Sequence, residues 1–478
     1  MNIRMDIRIM AVLAAILAGF QGIPLLFAWL VGEDFQPLAL SLLIALGVAL
    51  AGLLPTRGAS THLHPRDGFL VASLGWSLAA ILGAAPYFLS GWLGGIDALF
   101  ESTAGFTTTG SSVLRHPESW PLSLLLWRSL TQWLGGMGML LLTIAILPVL
   151  GVGGMQLMKA EVPGPNKERL VPRLAATARL LWGLYVGFTV LAAVLYTLSG
   201  MSSFDALNHA FTTMATGGFS TRSQSLAAFS PAAQWWCVLF MIVAGTNFLI
   251  HYRLLVKRDG SVHKEPEWQF FLGIILVVGL VQSGLLWQGR GGSLEPALRE
   301  GFFQTVSVLT TTGYANANWE MWPAAQQLLL VILMLIGGMA GSTGGGVKVI
   351  RVVVLLKLMA SVARRLLQPN QIVVLKVGSK SIAQDAAEGC VAVVVGAVFL
   401  ALATGLALNL MGMDMTSAMG AALTCVSNVG PGLGSVGPTD DFALVPDLGK
   451  FLLAVDMVAG RLEIFTVLML FSVKFWRW

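Results

Sequence analysis

The stretch Glu300-Gly-Phe-Phe-Gln-Thr-Val-Ser-Val-Leu-Thr-Thr-Thr-Gly313 is one of four in this chain that overlay without a gap. The others are Asp97-Ala-Leu-Phe-Glu-Ser-Thr-Ala-Gly-Phe-Thr-Thr-Thr-Gly110, Asp205-Ala-Leu-Asn-His-Ala-Phe-Thr-Thr-Met-Ala-Thr-Gly-Gly218 and Ser417-Ala-Met-Gly-Ala-Ala-Leu-Thr-Cys-Val-Ser-Asn-Val-Gly430. Each opens on an acidic or hydroxyl residue and closes on a glycine 13 positions later. The closing glycines follow one another at intervals of 108, 95 and 117 residues. A single Thr-Thr-Gly is ordinary turn chemistry. Four copies in one frame, each between two apolar blocks, are an internal repeat whose unit is a span, a short helix, a loop and a second span.

The residues around the repeats need lipid as their solvent. Of 478 residues, 56% are hydrophobic and 11% charged, against roughly 25% charged in an ordinary soluble domain. A single soluble core stops growing at roughly 250 to 300 residues, so this much apolar sequence calls for a bilayer. Apolar blocks of spanning length fall near 7 to 31, 37 to 54, 68 to 93, 120 to 150, 175 to 200, 231 to 252, 268 to 288, 322 to 367, 386 to 412 and 448 to 473. The first exceeds a signal-peptide core and lacks a clear small-residue cleavage site, so it is read as a retained span. Two spans thus precede the repeats.

The connections between blocks alternate in charge. One set carries 22 of the 29 Lys and Arg residues, among them Arg4, Arg8, Arg57, Lys159, Lys167, Arg169, Arg253, Lys257, Arg364, Arg365, Lys474 and Arg477. That asymmetry puts both termini in the cytoplasm. The net charge of +5 reports this topology and not a nucleic-acid surface, because the bases are spread between apolar blocks. Cys237, Cys390 and Cys425 are too few and too widely spaced for a disulfide scaffold. The histidines, among them His62 and His64, are scattered without His-Glu-x-x-His spacing, which gives a metal centre no support. An intramembrane enzyme would need paired Asp, a Ser/Lys dyad or a metal constellation within the spans, and the sequence carries none. Gly151-Val-Gly-Gly and Gly344-Gly-Gly lie in membrane-rich surroundings, outside the strand, turn and helix context of a nucleotide site.

Asp97, Asp205, Glu300 and Ser417 suit the N-terminal end of a short helix. Such a helix turns its partially negative C-terminal end inward. Four ends converging on one axis favour a cation, and the Thr/Gly or Asn/Gly residues that follow supply extended backbone whose carbonyls can face the axis. Irregular backbone at membrane depth is tolerated where it lines such a cavity. The bland alternative is four re-entrant loops with Thr and Gly as turn residues.

These residues resemble the TrkH/KtrB/HKT superfamily of potassium transporters, and the two extra N-terminal spans resemble its TrkH type. Nearly the whole chain is covered, including Thr-Thr-Thr-Gly-Ser (107 to 111), Ala-Thr-Gly-Gly-Phe-Ser-Thr (215 to 221), Thr-Thr-Thr-Gly-Tyr-Ala (310 to 315) and Ser-Asn-Val-Gly-Pro-Gly-Leu-Gly (427 to 434). The resemblance implies an all-α polytopic membrane protein. It divides into two N-terminal helices (1–66) and four fused pore repeats (67–160, 161–260, 261–370 and 371–478), the third with a broken second helix. It implies potassium uptake across a bacterial cytoplasmic (inner) membrane through a filter made by Thr108, Thr109 and Gly110; Thr216, Gly217 and Gly218; Thr311, Thr312 and Gly313; and Asn428, Val429 and Gly430. The fourth set departs from the threonine pattern, so one ring should be chemically asymmetric. A symporter coupling K+ to H+ or Na+ on the same fold stays open. K+ is then cargo, with no nucleotide site in this chain. The implied partners are a second copy in a homodimer and a TrkA-type cytosolic subunit that binds nucleotides; the basic face by itself fits anionic lipid equally well.

Two features lie below the expected filter. The block from 322 to 367 is too long for one span and is interrupted by Gly337-Gly-Met-Ala-Gly-Ser-Thr-Gly-Gly-Gly346, then Lys348. Gly337, Gly338, Gly341, Gly344, Gly345 and Gly346 make either a hinge or packing seam, or, as the resemblance favours, a pore-obstructing loop. Arg461 lies within the last block, where Asp456 and Glu463 project from other faces of a helix. It needs a partner elsewhere, either a structural carboxylate or a pore and gating site. The resemblance places it in the permeation path against the glycine loop. Arg128, Glu101, His209, Gln304 and Asn247 are read as interhelical hydrogen-bonding residues.

Overall fold

The structure is a computed structural model that describes residues 2–59, 65–145, 170–290, 293–368, 374–378 and 380–476. His62, His64, Lys159, Lys167, Arg169, Arg477, the Gly151 stretch and the boundaries at 160/161 and 370/371 lie outside them. The regular secondary structure of the described residues is helical apart from a two-residue antiparallel pairing of Lys376–Val377 with Lys380–Ser381.

The first helix, Ile3–Val31, starts where the Asn2 side chain accepts from the Met5 N–H, and stops at Gly32, whose φ of 82° is a left-handed C-cap. It pairs with Gln36–Leu53 through small residues: Ala11, Ala14 and Ala18 are buried on one helix, Ala45 and Ala49 on the other. Without a hydrophobic drive between helices in lipid, such close backbone approach supplies the packing energy.

One arrangement then recurs four times: a long outer helix, a short helix and a closing helix. The outer helices are Pro65–Leu89, Leu170–Leu198, Pro266–Arg290 and Gln384–Leu410. The short helices are Gly95–Phe106, Ser203–Met214, Leu294–Leu309 and Met415–Ser427. The closing helices begin at Leu122, Pro231, Ala324 and Asp447. Among the described residues six helices are long and apolar enough to cross a membrane, seven if the bent pair Pro231–Gly245 and Phe248–Leu255 counts as one.

The closing helices correct the reading of unbroken apolar blocks. The break expected between 322 and 367 is present, with Ala324–Ile336 ending at Gly337 and Val349–Leu367 resuming after Lys348. A second break bends the 231 to 252 block by 100° at Thr246 and Asn247. A third ends the last block's helix at Arg461, ahead of Glu463 and Ile464 with positive φ. The second break is capped locally and held from a distance. Asn247 caps the resuming helix by accepting from the Leu249 N–H, and the carbonyls it frees are taken up by the glycine loop.

The short helices begin as expected in three cases. Asp97 sits in the first turn of its helix. The Ser202 hydroxyl accepts from the Asp205 N–H and donates to the Asp205 carboxylate, a capping box in miniature. Asp414, one residue before its helix, accepts from the Ser417 N–H, so Ser417 is a first-turn residue. Glu300 is corrected: the third short helix starts at Leu294, a turn and a half earlier, and Glu300 lies in its middle.

A buried ion pair inside the first repeat positions a cation that also bonds the second, and another pair joins the fourth repeat to the first. Arg128 Nε lies 2.6 Å from Glu101 Oε1, with both side chains almost wholly buried. Arg128 also donates to the Ser220 carbonyl of the second repeat and stacks its guanidinium on Phe219 at 3.5 Å. Glu101 further accepts from Ser112 Oγ and the Val113 N–H. Lys450 Nζ reaches Asp97 Oδ1 at 2.6 Å, tying the fourth repeat back to the first. Removing one partner of a buried pair typically costs roughly 3–5 kcal/mol. Glu101→Ala is therefore expected to lower the thermal unfolding midpoint of the detergent-solubilised protein by several degrees; an unchanged midpoint would show that this pair does not stabilise the fold.

Candidate functional site

The first three short helices end two residues before the position that opens their cluster, and the fourth ends at Ser427, one residue before Asn428. Thr108, Thr216, Thr311 and Asn428 all take left-handed φ angles, of 54°, 53°, 58° and 53°. This is the usual conformation at a helix C′ position, and the backbone bonds match it. The N–H groups of Thr109, Gly217, Thr312 and Val429 bond back to Ala104, Thr212, Ser307 and Thr424, five residues earlier in each case. With those N–H groups turned toward the helices, the carbonyls are free to face away from them. The third positions, Gly110, Gly218, Gly313 and Gly430, return to positive φ at 83°, 76°, 79° and 111°.

The four clusters meet in a closed cycle. A Cβ added at Gly110 would overlap the carbonyl oxygen of Gly217, one at Gly218 that of Thr312, and one at Gly313 that of Val429. At Gly430 it would come 2.9 Å from the carbonyl oxygen of Thr109, which closes the ring. Each third-position glycine is thus required twice, by its φ and by the neighbouring carbonyl. All twelve positions expected from the sequence are brought together here. The four glycines line an open cavity of about 130 Å³ on one side of the ring, whose rim includes Arg115, Arg222, Asp440 and Asp441. Arg115 pairs with Asp441 at 3.2 Å and Arg222 with Asp205 at 2.7 Å.

Each cluster has its own strap. Thr107 and Thr109 share a hydroxyl hydrogen bond of 2.7 Å, and Thr310 and Thr312 one of 2.8 Å. In the fourth, Asn428 Nδ2 donates to Thr109 Oγ and to the Met457 carbonyl. The second cluster is held from outside: Gln132 Nε2 donates to the Gly217 carbonyl at 2.6 Å and Gln132 Oε1 accepts from the Phe219 N–H at 3.1 Å. At the end of the ring away from the cavity, Thr108 Oγ and Asn428 Oδ1 are buried without a hydrogen-bond partner among the described residues.

The glycine-rich segment lies against that same end. The Gly345 N–H donates to Thr311 Oγ at 2.6 Å. A Cβ at Gly345 would press on Asn428, and one at Gly344 on the Thr310 carbonyl. Thr343 Oγ donates to the Met214 and Ala244 carbonyls, and the Met339 N–H donates to the Gly245 carbonyl. The segment therefore takes up the carbonyls freed where the second closing helix breaks. Gly337 and Gly346, both with positive φ, abut at its neck, while Gly338 and Gly341 pack on Gly245 and Asn247.

Two cations reach this segment. Arg461, 2% exposed, donates to the Thr343 carbonyl at 2.8 Å and to the Gly135 carbonyl of the first closing helix at 3.2 Å. Its hydrogen bonds go to backbone, with no ion pair to a carboxylate among the described residues. Lys348 Nζ donates to the Gly344 carbonyl at 2.6 Å. All eight expected gating residues thus lie in or against the segment. Sequence reasoning missed Thr343, though it sits inside the quoted loop; Gln132, a lone amide in an apolar block; and Glu267, which accepts from the Ala340 N–H at 2.8 Å.

The family model for TrkH, described as a cation transport protein, matches residues 40–280 and 293–477. The chain is 36% identical to the Trk system potassium uptake protein TrkH of Halomonas elongata and 37% identical to that of Escherichia coli, over the full length of both partners in each case. It is also similar to the crystal structure of the potassium transporter TrkH from Vibrio parahaemolyticus, with 35% identity, a TM-score of 0.91 and full coverage of both chains.

A ring of this kind that binds alkali cations should be stabilised by them through mass action. Added K+ is expected to raise the melting temperature of the purified protein, and Gly313→Ala to shrink that rise. An equal rise in the variant would argue against a cation site at the ring.

Proposed function

The chain belongs to the TrkH family of cation transport proteins, which are transporters and not enzymes, and from that premise we propose that it takes up potassium through the four-cluster ring. The observation that carries this reading is the closed cycle in which each third-position glycine meets the carbonyl of the next repeat. Such a ring can offer a dehydrated cation carbonyl oxygens in place of water. The short-helix C-termini add partial negative charge at the same place. Thr108, Thr109, Gly110, Thr216, Gly217, Gly218, Thr311, Thr312, Gly313, Asn428, Val429 and Gly430 are the proposed filter, and the division at 67, 161, 261 and 371 the proposed repeat boundaries.

The segment from Gly337 to Gly346 is the proposed gate, with Arg461 and Lys348 as its latches. The guanidinium opposes cation passage by its charge, and its hydrogen bond to the Thr343 carbonyl holds the loop under the ring. The basic connections support termini in the cytoplasm. A second copy and a nucleotide-binding cytosolic subunit of the Trk system are the proposed partners.

The reading is tested by cation flux into liposomes containing the purified chain, comparing K+, Rb+, Na+ and Li+ with and without a proton gradient. Downhill K+ and Rb+ flux that ignores the proton gradient supports a channel-like path. Strict dependence on protons or Na+ moves the assignment to a symporter on the same fold. Arg461→Ala is expected to raise basal K+ flux severalfold, as is deletion of Met339 to Gly345; unchanged or lower flux in correctly folded variants would overturn the latch and the gate respectively.

A further inference from the structure

We propose that Gln132 is a selectivity-determining positioning residue, a strap supplied by the first repeat to the filter loop of the second. The inference rests on the filter reading above and adds a residue to it.

The first and third loops hold themselves: a threonine at the middle position, Thr109 or Thr312, bonds to a threonine two residues earlier, Thr107 or Thr310. The second loop has lost both halves of that tie. Its corresponding residues are Ala215 and Gly217. The Gln132 amide occupies the space a side chain would need, since a Cβ at Gly217 would overlap Gln132 Cδ and Oε1. There it grips the loop on both sides of the third position, donating to the Gly217 carbonyl and accepting from the Phe219 N–H. Gln132 is 0% exposed, so water does not compete for these bonds. The missing side chain and the added amide are one arrangement.

Gln132 differs from its counterparts in the second and fourth repeats. Gly136 packs on Ala215 as Gly245 packs on Thr310, and Gly135 packs on the Phe106 carbonyl as Gly460 packs on the Val426 carbonyl. Counting back from these contacts, Gln132 matches Met241 in the second repeat and Met457 in the fourth, both fully buried. By that correspondence the methionines stand at the third and first loops, which carry threonine ties of their own. The fourth loop, with Ser427 and Val429 at the two tie positions, is held through Asn428, and the second is held by the Gln132 amide. The Gly217 carbonyl is also the oxygen that meets Gly110 around the ring, so its orientation sets the spacing between the first and second loops. A peptide released by loss of Gln132 can rotate, and a ring with one loose carbonyl discriminates less between ions of different size.

The test compares the parent, Gln132→Ala, Gln132→Met and Gln132→Glu, each as the full chain. The readout is the ratio of Na+ to K+ concentrations giving half-maximal thermal stabilisation, which needs no open gate, followed by the K+ to Na+ flux ratio in liposomes. All three variants are expected to lower discrimination about fivefold or more. Gln132→Met keeps the side-chain volume and uses the residue found at the matching positions, so its effect separates the lost hydrogen bonds from a cavity. Gln132→Glu accepts from Phe219 but, as a carboxylate, cannot donate to Gly217. Rebuilding the internal tie with Ala215→Thr and Gly217→Thr on the Gln132→Ala chain is expected to recover most of the parent ratio. Gly245 leaves room for Thr310, as Gly136 would for a threonine at 215. Unchanged discrimination in Gln132→Met and Gln132→Ala, with Gly110→Ser lowering it, would overturn the role of Gln132 and leave the filter standing. If Gly110→Ser also leaves it unchanged, the filter assignment falls and the strap with it.

Discussion

Backbone N–H and C=O groups at membrane depth must find partners within the protein, because hydrocarbon offers none. The architecture around the ring follows from where those groups go. At the end of each short helix the chain turns through a left-handed residue and folds two or three N–H groups back onto the helix. The carbonyls that follow then have no helical partner, and four clusters meet so that these oxygens face one another's glycines. The left-handed residues are three threonines and one asparagine, not glycines. Each carries strain of order 1–3 kcal/mol, which the packed surroundings must hold. The same necessity explains the broken closing helices: carbonyls freed at Ala244 and Gly245 are satisfied by Thr343 and Met339 of the glycine segment. Breaks and loop are mutually dependent.

Fourfold repetition fixes the ring, but the four copies are not interchangeable. Asparagine at 428 reaches across to Thr109 and back to Met457, so the fourth loop is tied to both the first and its own closing helix. Arginine at 461 sits where the second closing helix has Gly245 and the first has Gly136, the places of closest approach to the next short helix. One cation among small residues at these matching positions breaks the pseudo-symmetry beside the ring. A symmetric pore made of four identical chains could not place one such group without placing four. Fusion into one chain permits it.

Much of this was legible in the letters, and the failures have physical reasons. The frame that aligns Gly110, Gly218, Gly313 and Gly430 is local and depends on residue type, so it survives the lack of any structural knowledge. Glu300 was misplaced because an acidic residue in a helix looks the same in the first turn as in the middle; the actual start lies beyond Pro296, where Ser293 precedes the helix. The bend at Thr246 and Asn247 was missed because hydropathy runs straight through it, and its cause is a loop about a hundred residues away. Gln132 was passed over for the same reason. Its meaning depends on the emptiness at Gly217 across a repeat boundary, which no periodicity along one helix reveals.

The strength of the proposed latch follows from its composition. Arg461 donates to two backbone carbonyls and, among the described residues, pairs with no carboxylate and leaves Nε unsatisfied. A buried guanidinium without a counter-ion is held at a cost in desolvation that two such bonds, worth roughly 1.5–3 kcal/mol each, only partly offset. An ion pair here would have bound the loop more firmly and neutralised the charge that opposes a cation. Arg351 and Glu463 make that pair instead, at 2.6 Å, where the helices resume beyond the loop. Arg461 is thus left without a counter-ion among the described residues while Arg351 is neutralised. The proposed latch thus rests on two backbone hydrogen bonds, so a modest difference in binding free energy between two loop positions would suffice to shift it.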